Sequence, residues 1–130
     1  MRRATEMWMR DAQDDVIACR ALIGAGVFGR AAFCAQQAAE KALKALYVEV
    51  HGEPPPQVHG LGALAQYAVG EAPEAMVDLL AQLDRHYAPG RYPSGLEAAS
   101  DRYGKADAKE ALEQCCAILQ WTAARLRGSG

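Results

Sequence analysis

The sequence predicts an all-α protein, an up-and-down bundle of four to five helices. Two observations carry that expectation. Every apolar pattern longer than eight residues follows the helical period, and runs with period-two alternation and branched residues, the mark of a half-buried strand, are absent. The length agrees: 130 residues bury one serviceable core without room for a second. A single domain over residues 5–126 is therefore expected. Residues 127–130, ending in Gly128-Ser129-Gly130, should form a disordered tail.

The first helix should run from about Thr5, as N-cap, to about Ile23, with Gly24 and Gly26 ending it. Trp8, Ala12, Val16, Cys19 and Ile23 share one face. Asp15 projects close to that face, and an unpaired charge at a buried edge is costly. Either a basic residue of another helix meets it or it reaches solvent from the boundary.

The second helix should span about Phe28 to Val50. At about 100° per residue, Phe28, Ala31, Ala35, Ala39, Ala42, Leu43 and Leu46 form a core stripe, and Arg30, Gln37, Lys41 and Lys44 form a cationic face opposite. Phe33, Gln36, Glu40 and Tyr47 lie on the border, a candidate contact surface. The competing account is that the alanines let a neighbouring helix approach while the glutamines are solvated edges. His51-Gly52-Glu53-Pro54-Pro55-Pro56-Gln57 then forces an extended connection, because consecutive prolines remove donors and exclude helix.

A third helix, about 60–69, aligns Leu61, Leu64, Ala65 and Ala68. A fourth begins near Pro73 and aligns Met76, Leu79, Leu80, Leu83 and Tyr87. From Ala88 to Tyr103 two prolines and two glycines within Ala88-Pro89-Gly90-Arg91-Tyr92-Pro93-Ser94-Gly95 mark a loop that carries an arginine and a tyrosine. The last helix, about Ala106 to Leu126, places Ala108, Ala111, Leu112, Cys115, Leu119, Thr122 and Leu126 on one stripe. Ile118 and Trp121 fall outside it, either to meet a second chain or to widen the core face.

Composition narrows function. A formal net charge of -2 gives no generalised electrostatic grip on nucleic acid, so RNA is not favoured as a partner and any anion site must be local. Arg2 and Arg3 are soon followed by acids rather than an apolar core, and nowhere do 18 apolar residues run together. No membrane association and a cytoplasmic location are expected. Cys19, Cys34, Cys115 and Cys116 lack Cys-x-x-Cys spacing and read as reduced packing residues rather than metal ligands. No metal or cofactor is expected.

A set of residues resembles a known family. It comprises Trp8, Ala12, Asp15 and Val16, then Gly26-x-Phe28-x-x-Ala31-x-Phe33-x-x-Gln36-Gln37-Ala38-Ala39-Glu40-Lys41-x-Leu43-Lys44-Ala45-Leu46, then His59-x-Leu61-x-x-Leu64 and Arg91-Tyr92-Pro93. Together these look like a HEPN domain, the "higher eukaryotes and prokaryotes nucleotide-binding" bundle. The glutamine-pair block is the specific part of the match. The resemblance implies a homodimer, often working beside a minimal nucleotidyltransferase in a pair like toxin and antitoxin. Several branches of the family are metal-independent ribonucleases carrying Arg-x(4–6)-His. That motif is missing here: at that spacing His51 is preceded by Lys44 rather than arginine, His59 by no arginine, and His86 by none, Arg85 being adjacent to it.

The non-nuclease branch implies nucleotide or partner binding, with no catalytic residue. Candidate residues are Gln36, Gln37, Glu40, Lys41, Lys44, Arg91 and Tyr92. An arginine can fork two hydrogen bonds to phosphate, lysines supply point charges, and a tyrosine offers a stacking face to a base. For Arg91 and Tyr92 the competing account is structural, with Tyr92 plugging the bundle end and Arg91 paired to Glu40 or Asp15. For Lys41 and Lys44 it is an ordinary solvated face, and for His59 helix capping or packing. Two further functions stay open: a ribonuclease with a displaced site using Arg85, His86 and Arg91, or Lys44 and His51, and a structural dimer buried through Phe33, Ile118 and Trp121.

Overall fold

The computed structural model describes residues 1–58, 60–87 and 102–129. It contains five helices and, among the described residues, no strand: α1 (Arg3–Gly24), α2 (Phe28–His51), α3 (Leu61–Val69), α4 (Glu74–Asp84) and α5 (Lys105–Ser129). The expected all-α bundle is the observed one, and the helix order is that read from the sequence.

α2 is the centre. Gly26, at φ 76°, turns the chain from α1 into α2, a left-handed conformation that costs a glycine little. The two helices run antiparallel, so that Arg2 at one end of α1 meets Glu49 near the far end of α2. Ala31, Ala35, Ala39, Ala42, Leu43 and Leu46 are fully buried, as the stripe predicts. Ala32, Ala38 and Ala45 are fully buried as well, because α2 packs against α1, α3 and α5 rather than one neighbour. Side chains this small let helix backbones approach closely on several sides. Leu43, Leu46, Leu61, Leu64, Leu80, Leu83 and Ile118 lie wholly out of water, and each stabilises the fold by about 1.5–3 kcal/mol.

Three local expectations are corrected, at Thr5, at Tyr87 and at the end of α5, and the open question at Ile118 and Trp121 is decided for the core. Thr5 is not an N-cap: the helix begins earlier, at Arg3, and the buried Thr5 hydroxyl donates to Glu49 Oε1 at 2.9 Å. Tyr87 lies beyond the end of α4, exposed, with its ring 5.9 Å from that of Phe33. Ile118 is fully buried in the core of its own chain, because the inward face of α5 follows Ala111, Cys115, Ile118 and Thr122 while Leu112 and Leu119 flank it. Trp121 is half-buried against the core, with the Arg125 guanidinium 4.5 Å from its ring centroid. The backbone of α5 continues past Leu126 to Ser129.

The cysteines are free thiols at the α1, α2 and α5 contacts. Burial, reinforced by the neighbouring Cys34 and Cys116, pushes the Cys19 thiol up to about 12, and burial likewise pushes Cys115 up. Both stay protonated and behave as small apolar side chains. No helix among the described residues is long and apolar enough to cross a membrane, and no group of His, Cys, Asp and Glu among them could hold a metal ion.

Candidate ligand-binding cleft

The polar edge of α2 is occupied by its own neighbours. Gln36 is 2% exposed, and its Nε2 donates to Asp84 Oδ1 at 3.2 Å. Asp84 Oδ2 accepts the Leu61 backbone N–H at 2.7 Å, so one carboxylate caps α3 and anchors α2 to α4. Gln37 Nε2 donates to Gln36 Oε1 at 2.6 Å, which fixes that amide from its other side. The buried glutamine of the pair is thus a structural tie and not a solvated edge.

Lys41 and Lys44 are likewise engaged rather than presented to solvent as a cationic face. Lys41 Nζ lies 2.8 Å from Asp15 Oδ2, which supplies the partner the Asp15 carboxylate requires. Lys44 Nζ lies 3.4 Å from Glu40 Oε2 and 5.3 Å from the Trp8 ring centroid. Lys41 therefore faces α1 while Gln36 faces α4, so these groups do not converge on one pocket. Gln36 and Glu40 do border a hollow of about 340 Å³ with Gly60, Asp84 and Tyr87. Arg91, Tyr92 and His59 lie outside the described residues. The pair Lys44 and His51 is not a unit: His51 Nε2 meets the Tyr67 carbonyl at 2.9 Å, and its ring lies against that of Tyr47, centroids 4.4 Å apart and planes tilted by 32°.

A different set converges where α4 ends and α5 begins. A cavity of about 360 Å³ is lined by Gln82, Arg85, His86, Arg102, Tyr103, Asp107, Glu110 and Gln114. The turn after Asp84 carries Arg85 and His86 to its rim, the Arg85 Nε–H reaching back to the Gln82 carbonyl at 3.4 Å. On the other wall Asp107 Oδ2 accepts the Gly104 N–H at 2.8 Å. That is the return half of a capping box at the first turn of α5, and it sets the position of Tyr103.

The two walls are joined by His86 and Tyr103. His86 Nδ1 is 3.1 Å from the Tyr103 hydroxyl, and the rings meet edge to face at 5.4 Å. Burial, with the Arg85 guanidinium adding to it, holds the His86 imidazole below its ordinary value, while Asp107 and Glu110 pull the other way. Burial pushes the Tyr103 phenol up. Both are neutral near neutral pH. Gln114 Nε2 donates to Gln82 Oε1 at 2.8 Å and to Glu110 Oε1 at 3.3 Å, tying α5 to α4 along the inner wall. Chemically the cleft offers an exposed guanidinium, a neutral imidazole, an aromatic face and two carboxylates in one small volume.

Of this set the sequence singles out Arg85 and His86; Arg102, Tyr103, Asp107 and Glu110 were missed. The available signal was local. Arg102-Tyr103-Gly104 sits at a loop-to-helix junction, and Asp107, Glu110 and Gln114 follow at helical spacing on one face of α5.

A family model of the HEPN domain matches residues 5–126. None of the curated proteins compared matches the chain. Among solved structures, TT1696 from Thermus thermophilus is similar at 31% identity and a TM-score of 0.85, over 95% of this chain and 98% of that one. ST0689, described as an archaeal HEPN homologue, gives 29% and 0.79 over 97% and 99%. A HEPN domain protein of Thermotoga maritima gives 25% and 0.72 over 93% and 98%. With the glutamine-pair helix at the centre of the bundle and the family match spanning nearly all of it, the chain belongs to the HEPN family.

Proposed function

We propose that this protein is a cytoplasmic nucleotide-binding module. Its residues 5–126 act as one domain, pair with a second copy, and work beside a minimal nucleotidyltransferase in a two-component arrangement like toxin and antitoxin. The observation that carries the ligand reading is the cleft at the α4–α5 junction, where Arg85, His86, Arg102 and Tyr103 line one cavity of about 360 Å³. That volume lies within the usual range for small-ligand sites. The exposed Arg85 guanidinium can fork two hydrogen bonds to phosphate, and the Tyr103 ring can take a base. Arg91 and Tyr92, which follow His86 in the chain after a short interval, are assigned to the same ligand. Gln36, Gln37, Glu40, Lys41 and Lys44 of α2 are assigned to the scaffold because each already has a partner.

Isothermal titration with a set of nucleotides tests the ligand reading. Heat of binding and a raised melting temperature are expected, and the absence of both overturns it. A nucleotidyltransferase that co-purifies from the native host is expected for the partner reading. A monomer by light scattering at micromolar concentration overturns the dimer.

A second reading, metal-independent RNA cleavage, is favoured by one observation: a half-buried imidazole held neutral lies beside an arginine in a cavity. There His86 would take the proton of a ribose 2′-hydroxyl while Arg85 steadied the phosphate. RNA left intact by the protein in metal-free buffer, or cleaved at the same rate by His86→Ala, removes it.

A further inference from the structure

We propose that the α4–α5 cleft selects guanine nucleotides over adenine and cytosine nucleotides. This rests on the nucleotide-binding reading and adds the identity of the base. The starting observation is that the Arg85 guanidinium and the Asp107 and Glu110 carboxylates share the cavity without pairing with one another. Arg85, Asp107 and Glu110 all line it and all are exposed, yet Arg85 forms no ion pair with either carboxylate. A wholly anionic ligand would meet Asp107 and Glu110 unfavourably, and a wholly cationic one would meet Arg85. A ligand with an anion at one end and hydrogen-bond donors at the other answers both walls.

The α5 wall fixes what that donor end must be. The Gln114 amide nitrogen is committed to two oxygens, Gln82 Oε1 and Glu110 Oε1. Because a carboxylate only accepts, the amide group on that side must be the NH2, which leaves the amide oxygen as the free end. That oxygen has no partner although Gln114 is 6% exposed. The exposed Asp107 and Glu110 carboxylates present acceptors one turn apart on one helix face, while the Gln114 oxygen is buried.

Among the common bases only guanine carries two adjacent donors, N1–H and the N2 amine, on one edge, and a carboxylate accepts both at once. Adenine and cytosine place a ring-nitrogen lone pair beside their amine, which a carboxylate repels. Uracil has one N–H between two carbonyls. Placing the guanine edge on Glu110, with Asp107 beside it, leaves the phosphate to Arg85 and the ring face to Tyr103.

The test is isothermal titration of the full chain with the monophosphates of guanosine, inosine, adenosine and cytidine, and with inorganic phosphate. The guanosine nucleotide is expected to bind about tenfold more tightly than the adenosine and cytidine nucleotides, the scale of one bidentate base contact. Inosine, which keeps N1–H and lacks the N2 amine, is expected between them. In Glu110→Gln the guanosine-to-adenosine ratio should fall to within about twofold of unity on the same scale. Equal affinities, or a ratio that survives in Glu110→Gln, overturn the guanine assignment while leaving nucleotide binding intact. Binding of no nucleotide overturns both.

Discussion

The polar edge of α2 and the cleft at the α4–α5 junction hold similar residues and use them differently. Along α2 the polar groups beside the core are matched: Gln36 to Asp84, Gln37 to Gln36, Lys41 to Asp15, Lys44 to Glu40. At the junction Arg85, Asp107 and Glu110 share a cavity without an ion pair between them. A cationic residue on a helix is thus a weak sign of a binding site until its partners are known. What separates the two regions is whether a charge meets an opposite charge: Lys41 and Lys44 do, and Arg85 pairs with neither Asp107 nor Glu110.

The sharpest way to break this comparison is at Asp84, which belongs to the scaffold. Asp84→Ala leaves both the buried Gln36 amide and the first N–H of α3 without their acceptor. It should lower unfolding free energy by about 2–3 kcal/mol, read by urea denaturation. A loss below about 0.5 kcal/mol, the scale of an ordinary surface substitution, would show that the α2 network is not structural.

Arg85→Ala addresses the other region. Its guanidinium is exposed, so stability should change by less than about 0.5 kcal/mol. Nucleotide affinity by calorimetry should fall about tenfold, equivalent to about 1.4 kcal/mol. The reverse pattern, lost stability with affinity kept, would move Arg85 into the scaffold.

Lys41→Met sharpens the comparison from the α2 side. The Asp15–Lys41 pair is about a quarter exposed on each side. After allowing for solvent screening its loss should cost about 1 kcal/mol or less in chemical denaturation, with nucleotide affinity unchanged. A tenfold loss of affinity would return Lys41 to the site.

The smallest effect is the pH dependence contributed by His86. Its folded value is lowered by burial and by Arg85 against the pull of Asp107 and Glu110, with Arg102 and Tyr103 also facing the cavity. The unfolded chain therefore binds this proton more readily, so stability is fully present above the unfolded value of about 6.5 and declines as pH falls through it. Wild type should lose stability relative to His86→Gln between about pH 7 and pH 5. Parallel curves would show that His86 is not held neutral by its surroundings.

The fold was largely legible because helical periodicity is a local property. Leu61, Leu64, Ala65 and Ala68 are buried as their spacing indicates, and α2 keeps its expected stripe. Periodicity cannot tell how many neighbours a helix has, so the buried Ala32, Ala38 and Ala45 were not anticipated and Ile118 stayed open between a second chain and the core. Thr5 was misread for a related reason: its hydroxyl serves Glu49 on another helix, a contact that no nearby residue announces. The site was less legible still. His86 and Tyr103 meet only because the ends of α4 and α5 are brought together by packing on α2.

The most direct test of the account is an amide chemical-shift map of the protein titrated with a nucleoside monophosphate. Shifts concentrated at residues 85–87 and 102–110, with 36–44 unmoved, are the predicted result. Shifts confined to 36–44, or none at millimolar ligand, would contradict it.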